Sequence, residues 1–198
     1  MSNIFSKLGL QAFRAGITPR TEESREWFRK KAKNLRSINR RALMKEEPIR
    51  QHSTKNARAL IGSMQMFMYD PKTKEKLPYY DTFPLVVVVG PAPGGFYGLN
   101  LHYISPLLRV KLLDALMDNT SDKRYDENTR FKLNYAMLNR TSKLRFYKPC
   151  FKHYLLDHVQ SRLAHVPAPE WEIATFLPMA NWVGAQGAAV YKFSKEMI

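Results

Sequence analysis

The sequence has little cysteine, few acidic residues and no long apolar run. Its single cysteine, Cys150, cannot close an internal disulfide or hold a structural zinc alone, which fits a reducing cytosol and excludes disulfide and zinc scaffolds. The longest apolar block, Leu85 to Val89, is far shorter than the roughly 20 residues a membrane helix needs. The start MSNIFSKLGLQAF lacks both a continuous apolar h-region and a small-residue cleavage site, so neither a membrane span nor secretion is expected. Acidic residues number 17 against 32 Lys and Arg, a formal charge of +15. Of the 198 residues, 44% are hydrophobic and 12% aromatic, enough for one real core and too much for a disordered basic tail.

The charge is uneven. Residues 1–60 hold 15 Lys and Arg against 5 Asp and Glu, and residues 61–198 hold 17 against 12. We read a basic helical N-terminal arm over 1–60 and a single α+β body over 61–198, joined in the polar stretch His52 to Lys55. In the arm, a weakly amphipathic segment from Ile4 to Ala15 ends at Gly16, a residue free to take positive φ. Thr21 can cap the next helix, with Glu22 and Glu23 at its positive end. Phe28, Ala32 and Leu35 then form an apolar stripe, with Arg25, Arg29, Lys33 and Arg36 as a cationic stripe beside it. Ser37 can cap a further short helix carrying Arg40 and Arg41. A charged stripe is commonly just a solvated face. However, like charges at i, i+4 repel by a few tenths of a kcal/mol per pair, and a polyanion would turn that repulsion into attraction through counterion release. The apolar stripe is too short for an interfacial membrane helix, so nucleic acid is the better partner.

The body opens with strand-like segments. Ser63 to Tyr69, the apolar block Leu85 to Val89, and Phe96 to Ile104 predict a small three-stranded antiparallel meander, curled toward a barrel-like form. Asp70-Pro71-Lys72-Thr73 is turn chemistry, and Gly90-Pro91-Ala92-Pro93-Gly94-Gly95 makes a tight connection. The remainder reads as helical: from Ser105-Pro106 through Leu108, Leu112, Leu113 and Leu116, from about Glu127 to Leu144, and from Phe151 to Leu163. Trp171 to Leu177 fits either a short helix or a strand. The tail from Gly184 to Ile198 has little pattern and is expected to dock only on a partner.

No constellation asks for an enzyme, a cofactor or a metal. The GPAPGG cluster lacks the spacing of a phosphate-cradling loop. His153 and His158 are wrongly spaced on a helix for joint ligation, and Cys150 with His153 has no second pair. Asp70 and Asp81 with Lys72, Lys74 and Lys76 have the content of a metal-dependent nuclease, but one aspartate lies in a turn and the other among aromatics between prolines. His102 is expected to be a hydrogen-bonded structural histidine. Tyr69, Tyr79, Tyr80, Phe83, Phe96, Tyr97 and Tyr103 are expected as core, with a base-stacking platform as the alternative.

The blocks Met68-Tyr69-Asp70-Pro71-Lys72, Leu77-Pro78-Tyr79-Tyr80-Asp81, Phe83-Pro84-Leu85 and Gly94-Gly95-Phe96-Tyr97-Gly98-Leu99-Asn100-Leu101-His102-Tyr103, followed by Pro106 and Arg109, resemble a virion-associated family of T-even-like contractile-tailed bacteriophages, the DNA end-protector or head-completion proteins. The resemblance extends to Gly16-Ile17-Thr18-Pro19-Arg20-Thr21 and to Lys148-Pro149-Cys150-Phe151-Lys152-His153-Tyr154. It implies a non-enzymatic virion protein that joins the filled head in the host cytoplasm, sits at the portal or neck as part of a larger assembly, and shields the double-stranded DNA terminus. On this reading Arg25, Arg29, Lys33, Arg36, Arg40 and Arg41 are the DNA-binding candidates. The alternative is a structural neck, tail or baseplate protein whose basic arm binds neighbouring subunits.

Overall fold

The apolar block Leu85 to Val89 lies at the centre of the molecule because both its faces are dry. The computed structural model describes residues 4–35, 37–46, 49–121, 135–141, 143–145 and 147–196. Its strands are β1 (Arg50–His52), β2 (Met64–Met66), β3 (Tyr80–Asp81), β4 (Leu85–Ala92), β5 (Gly95–Asn100), β6 (Phe151–Leu155), β7 (Leu163–Val166) and β8 (Trp182–Val183). Six of them form one antiparallel sheet in the order β1-β7-β2-β4-β5-β6, and β3 pairs with β8 separately. Along β4, Leu85, Val87 and Val89 enter the larger apolar cluster, while Val86 and Val88 enter a smaller one with Phe67, Phe96 and Tyr154. Successive side chains of a strand point to opposite faces, so a strand covered on both sides shows no polar alternation.

The expected three-stranded meander is present as β2, β4 and β5, but it is the middle of a larger sheet. Strands β6 and β7 come from the segment expected to be helical from Phe151 to Leu163. Tyr154, Leu155, Val159 and Leu163 suit a helical face as well as they suit strands. Long-range pairing decides: Phe96 registers with Tyr154, and Gln65 with His165. The connection between β6 and β7 crosses the smaller cluster, packing Leu156 and Val159 onto it. The expected strand from Phe96 to Ile104 stops at Asn100, whose side chain accepts the His102 N–H at 2.9 Å and starts a 3-10 turn over Leu101–Tyr103.

Helices cover the larger cluster. They are α1 (Ile4–Arg14), α2 (Glu22–Lys33), α3 (Arg40–Leu43), α4 (Pro106–Ser121), α5 (135–141), α6 (Trp171–Phe176) and α7 (Gly187–Glu196). Of the helix expected from Glu127 to Leu144, residues 127–134 lie outside the described residues. Gly16 closes α1 with φ 71°, and Thr21 caps α2 in a reciprocal capping box with Ser24. Asn39, not Ser37, caps α3 by accepting the Ala42 N–H at 3.0 Å. The N-terminal segment is helical as read, but Phe5, Leu8, Ala12 and Phe28 belong to the same core as the sheet, and β1 pairs with β7. Glu172 of α6 pins the turn between α1 and α2: its carboxylate accepts the Arg20 N–H at 3.0 Å and the Ser24 hydroxyl. That contact supports Arg20 at φ 65°, a left-handed conformation unusual for a side-chain-bearing residue.

The C-terminal tail docks on the chain's own body, which corrects the expectation of a partner. Val190 is fully buried, and the Phe193 ring stacks on Tyr79 at 5.7 Å between centroids. Among the described residues no helix is long and apolar enough to cross a membrane.

A Cβ on Gly95 would lie 1.8 Å from the Tyr154 backbone carbonyl, which the β5–β6 pairing holds in place. Gly95→Ala is therefore expected to destabilise the fold by about 1–3 kcal/mol, read as a lower denaturation midpoint.

Candidate functional site

The side chains of α2 divide by face. Phe28 and Ala32 are buried, and Arg25, one turn from Phe28, ion-pairs with Asp114 of α4. Lys30 pairs with Glu26 at 3.0 Å, and the Lys31 ammonium lies 5.1 Å from the centre of the Trp27 ring. Arg29 and Lys33 are exposed, and among the described residues neither makes an ion pair. Beyond α2, Arg40 is half-buried and donates from Nε to the Met179 carbonyl and from Nη2 to the Ala180 carbonyl, each at 2.8 Å. Arg41 is exposed, and Arg36 lies outside the described residues. Six positions that looked equivalent in the sequence thus separate: Arg25 and Arg40 have partners within the fold, whereas Arg29, Lys33 and Arg41 face solvent.

Arg29 and Lys33 stand at a cleft of about 300 Å³ whose lining also includes His102, Arg109 and Tyr191. The 179–180 segment that Arg40 holds forms part of its wall. Behind the cleft lies a buried polar knot. Asp81 Oδ1 accepts the N–H groups of Phe83 and Asn181, each at 3.0 Å, and Oδ2 lies 2.6 Å from His102 Nδ1. Asn100 donates to the Tyr154 hydroxyl at 3.0 Å and accepts from the His102 backbone. Burial opposes charge on Asp81, but the His102 imidazole and the two backbone donors outweigh it and hold the carboxyl below the usual aspartate range. Asp81 is thus an ionised acceptor, and Nδ1 carries the proton that His102 donates.

Arg109 is 6% exposed, and its guanidinium donates to the carbonyls of Thr175 at 2.8 Å and Ile104 at 3.1 Å. Among the described residues no carboxylate comes within ion-pairing distance of it. Burial lowers its pKa, while the Tyr191 hydroxyl beside it works the other way. Sequence reasoning read His102 correctly as structural but missed Arg109. A signal was available: Arg109 precedes Leu112, Leu113 and Leu116 at i+3, i+4 and i+7, so it falls on the apolar face of α4.

The other constellations dissolve into the fold. Asp70 pairs with Lys74 at 2.9 Å in its turn, while Asp81 is spent on the buried knot. His153 and His158 lie on different elements and each contacts a backbone carbonyl at 2.9 Å, of Pro93 and Asp70 respectively. Cys150 is buried and its thiol is pushed up to about 12 by that burial. Tyr69, Tyr79, Phe83, Phe96 and Tyr103 are all buried, so the stacking-platform alternative gives way to core packing, with Tyr69 and Tyr154 edge to face at 5.0 Å. Among the described residues no group of three or more His, Cys, Asp or Glu is placed to hold a metal.

Fold and site together define a basic, mixed α/β protein whose helix α2 presents cations at a cleft with no carboxylate in its lining. Over residues 10–195 the chain matches the family described as Phage T4 terminal DNA protecting protein, and it belongs to that family. The resemblance drawn from the sequence blocks is thereby shown. Comparison with curated proteins and with solved structures found no match.

Removing the Asp81 charge leaves buried donors unpaired. Asp81→Asn is expected to cost about 3–5 kcal/mol near neutral pH, measured by chemical denaturation. Because the folded carboxyl titrates below its unfolded value of about 3.9, its stabilisation is complete above about pH 5. It is lost as pH falls through the lower folded pKa, so the gap between wild type and variant should close toward acid.

Proposed function

We propose that this chain binds the terminus of packaged double-stranded DNA at the portal or neck of the virion and shields it from exonucleases, without catalysing a reaction. Membership of a terminal DNA protecting family supports the end-shielding role. The observation that carries the mechanism is the pair of exposed cations Arg29 and Lys33, one helical turn apart on α2 and without an ion pair among the described residues, with Arg41 exposed on α3. A cationic side chain kept away from its own carboxylates can neutralise a phosphate at little cost and release condensed counterions on doing so. Contact with phosphates alone carries no base information, which suits a protein that must hold any end irrespective of sequence. Arg25 and Arg40 contribute differently: the first fixes α2 against α4, and the second shapes the wall beside it.

Neutralising about three phosphates with Arg29, Lys33 and Arg41 gives a slope of about −2.7 for log affinity against log salt. Arg29→Ala combined with Lys33→Ala should shrink that slope by about 1.8 and leave thermal stability unchanged, because neither side chain is buried. Arg40→Ala should instead lower the melting temperature, having left two carbonyl acceptors of the cleft wall without their donor. The test of the function is exonuclease digestion of linear duplex with and without the protein, using a covalently closed circle as competitor. Selective survival of linear ends supports the proposal. Equal weak binding to both forms, together with tight binding to a portal or tail ring, overturns it in favour of a structural neck or tail role.

A further inference from the structure

The cleft beside α2 contains more than an exposed cationic surface requires. Its lining includes Arg109 and His102, 6% and 2% exposed, and Nε of Arg109 is a buried donor with no partner among the described residues. The His102 ring is fixed by Asp81 at Nδ1, and Asp81 does not line the cleft. No Asp or Glu lines the cleft, while Arg29 and Lys33 stand at its mouth. The Tyr191 hydroxyl, within 3.4 Å of Arg109 Nη2, adds a donor that can rotate inward. The amino end of α4 also borders the cleft at Pro106, bringing the positive end of a 16-residue helix to the same place. Burying a guanidinium without a carboxylate is costly, and an unmade bond on a buried nitrogen adds to that cost. Both costs are removed by one compact anion with several acceptor oxygens.

We infer that this cleft receives a terminal phosphomonoester, the group that a phosphorylated strand end carries and an internal position of the duplex lacks. The inference deepens the end-shielding reading and rests on it for the source of the phosphate. A phosphomonoester carries close to two negative charges at neutral pH and three free oxygens, whereas a backbone diester carries one charge and has chain on both sides. α4, α7 and the 175–180 segment border the cleft, and a terminal phosphate, with chain on one side only, can approach it more closely than a backbone diester with chain on both sides. Arg109 supplies planar, fixed donors suited to phosphate oxygens. Arg29 and Lys33 then meet the next phosphates along the strand.

The test compares the intact protein on short blunt duplexes that differ only at their ends: 5′-phosphate with 3′-hydroxyl, 5′-hydroxyl with 3′-phosphate, and hydroxyl at both. One phosphorylated form should bind at least about tenfold tighter than the all-hydroxyl duplex, roughly 1.4 kcal/mol. A thymidine dinucleotide should show the same preference for its 5′- or 3′-phosphorylated form. Tyr191→Phe and Arg109→Lys should reduce the ratio between phosphorylated and hydroxyl ends, which a purely structural role would leave unchanged. On the unsubstituted protein, the phosphorylated dinucleotide should move the 15N resonance of Arg109 Nε and the hydroxyl form should not, a readout independent of whether any variant folds. Equal affinity for all three duplexes with no resonance shift overturns the inference even if linear ends remain protected. Capture of the phosphorylated dinucleotide without protection of duplex ends upholds the cleft and overturns the end-shielding reading.

Discussion

The buried carboxylate of Asp81 organises the part of the molecule on which function depends. An ionised carboxylate taken out of water is tolerated only where donors replace its hydration, and Asp81 has the N–H groups of Phe83 and Asn181 and the imidazole of His102. These donors come from three separate segments: the chain after β3, the approach to β8, and the turn that follows β5. One charge therefore holds together elements some 20 to 100 residues apart. It also registers β3 on β8, where Asp81 lies opposite Trp182, and that pairing places Trp182 edge to face with Tyr103 at 4.7 Å. The knot also fixes the ring of His102, a residue of the cleft lining.

A second constraint is charge of one sign. A chain with +15 formal charge repels itself, although at physiological salt the screening length of about 8 Å confines that repulsion to near neighbours. The fold relieves the worst of it locally. Arg25 is paid off by Asp114, Lys30 by Glu26 and Lys74 by Asp70, while Arg40 turns inward to two carbonyls. Partly exposed pairs of this kind contribute at most about 1 kcal/mol each, so they do not hold the fold together. Among the cations without an ion pair in the described residues, Arg29 and Lys33 of α2 line a cleft whose lining has no carboxylate.

Much of this was legible in the sequence wherever a local rule governed. The Thr21 cap, the Gly16 stop, the Ser105-Pro106 start of α4 and the doubly covered β4 each follow from residues within one or two turns of chain. What escaped was set by partners far away in sequence. Phe151 to Leu155 is a strand because β5 offers it an edge, with glycines at 95 and 98 leaving room for Tyr154, and nothing inside those five residues dictates that outcome. The tail from Gly187 hides its helix behind small residues, and its docking depends on Tyr79, over a hundred residues upstream. At the site, the cationic stripe was visible as a stripe, but whether each charge was spent or free depended on Asp114, Met179 and Ala180. Arg109 was also visible and passed over, a permanent charge on the face of a helix otherwise made of leucine.

End recognition poses a problem that surface charge alone does not solve. Counterion release is blind to position, so Arg29, Lys33 and Arg41 by themselves would hold the middle of a duplex as well as its terminus. Selectivity requires contact with something only an end possesses, either the exposed face of the last base pair or a terminal phosphate. The first needs a broad aromatic surface, yet the rings of Tyr69, Phe83, Phe96 and Tyr103 are consumed by the core, and the exposed rings among the described residues, Phe13, Tyr97, Tyr135 and Phe193, lie on four different elements. The second needs enclosed, correctly signed donors that a continuous backbone cannot reach. That is the contact proposed for the cleft lined by Arg109, whose lining holds no carboxylate and includes Arg29 and Lys33 of α2.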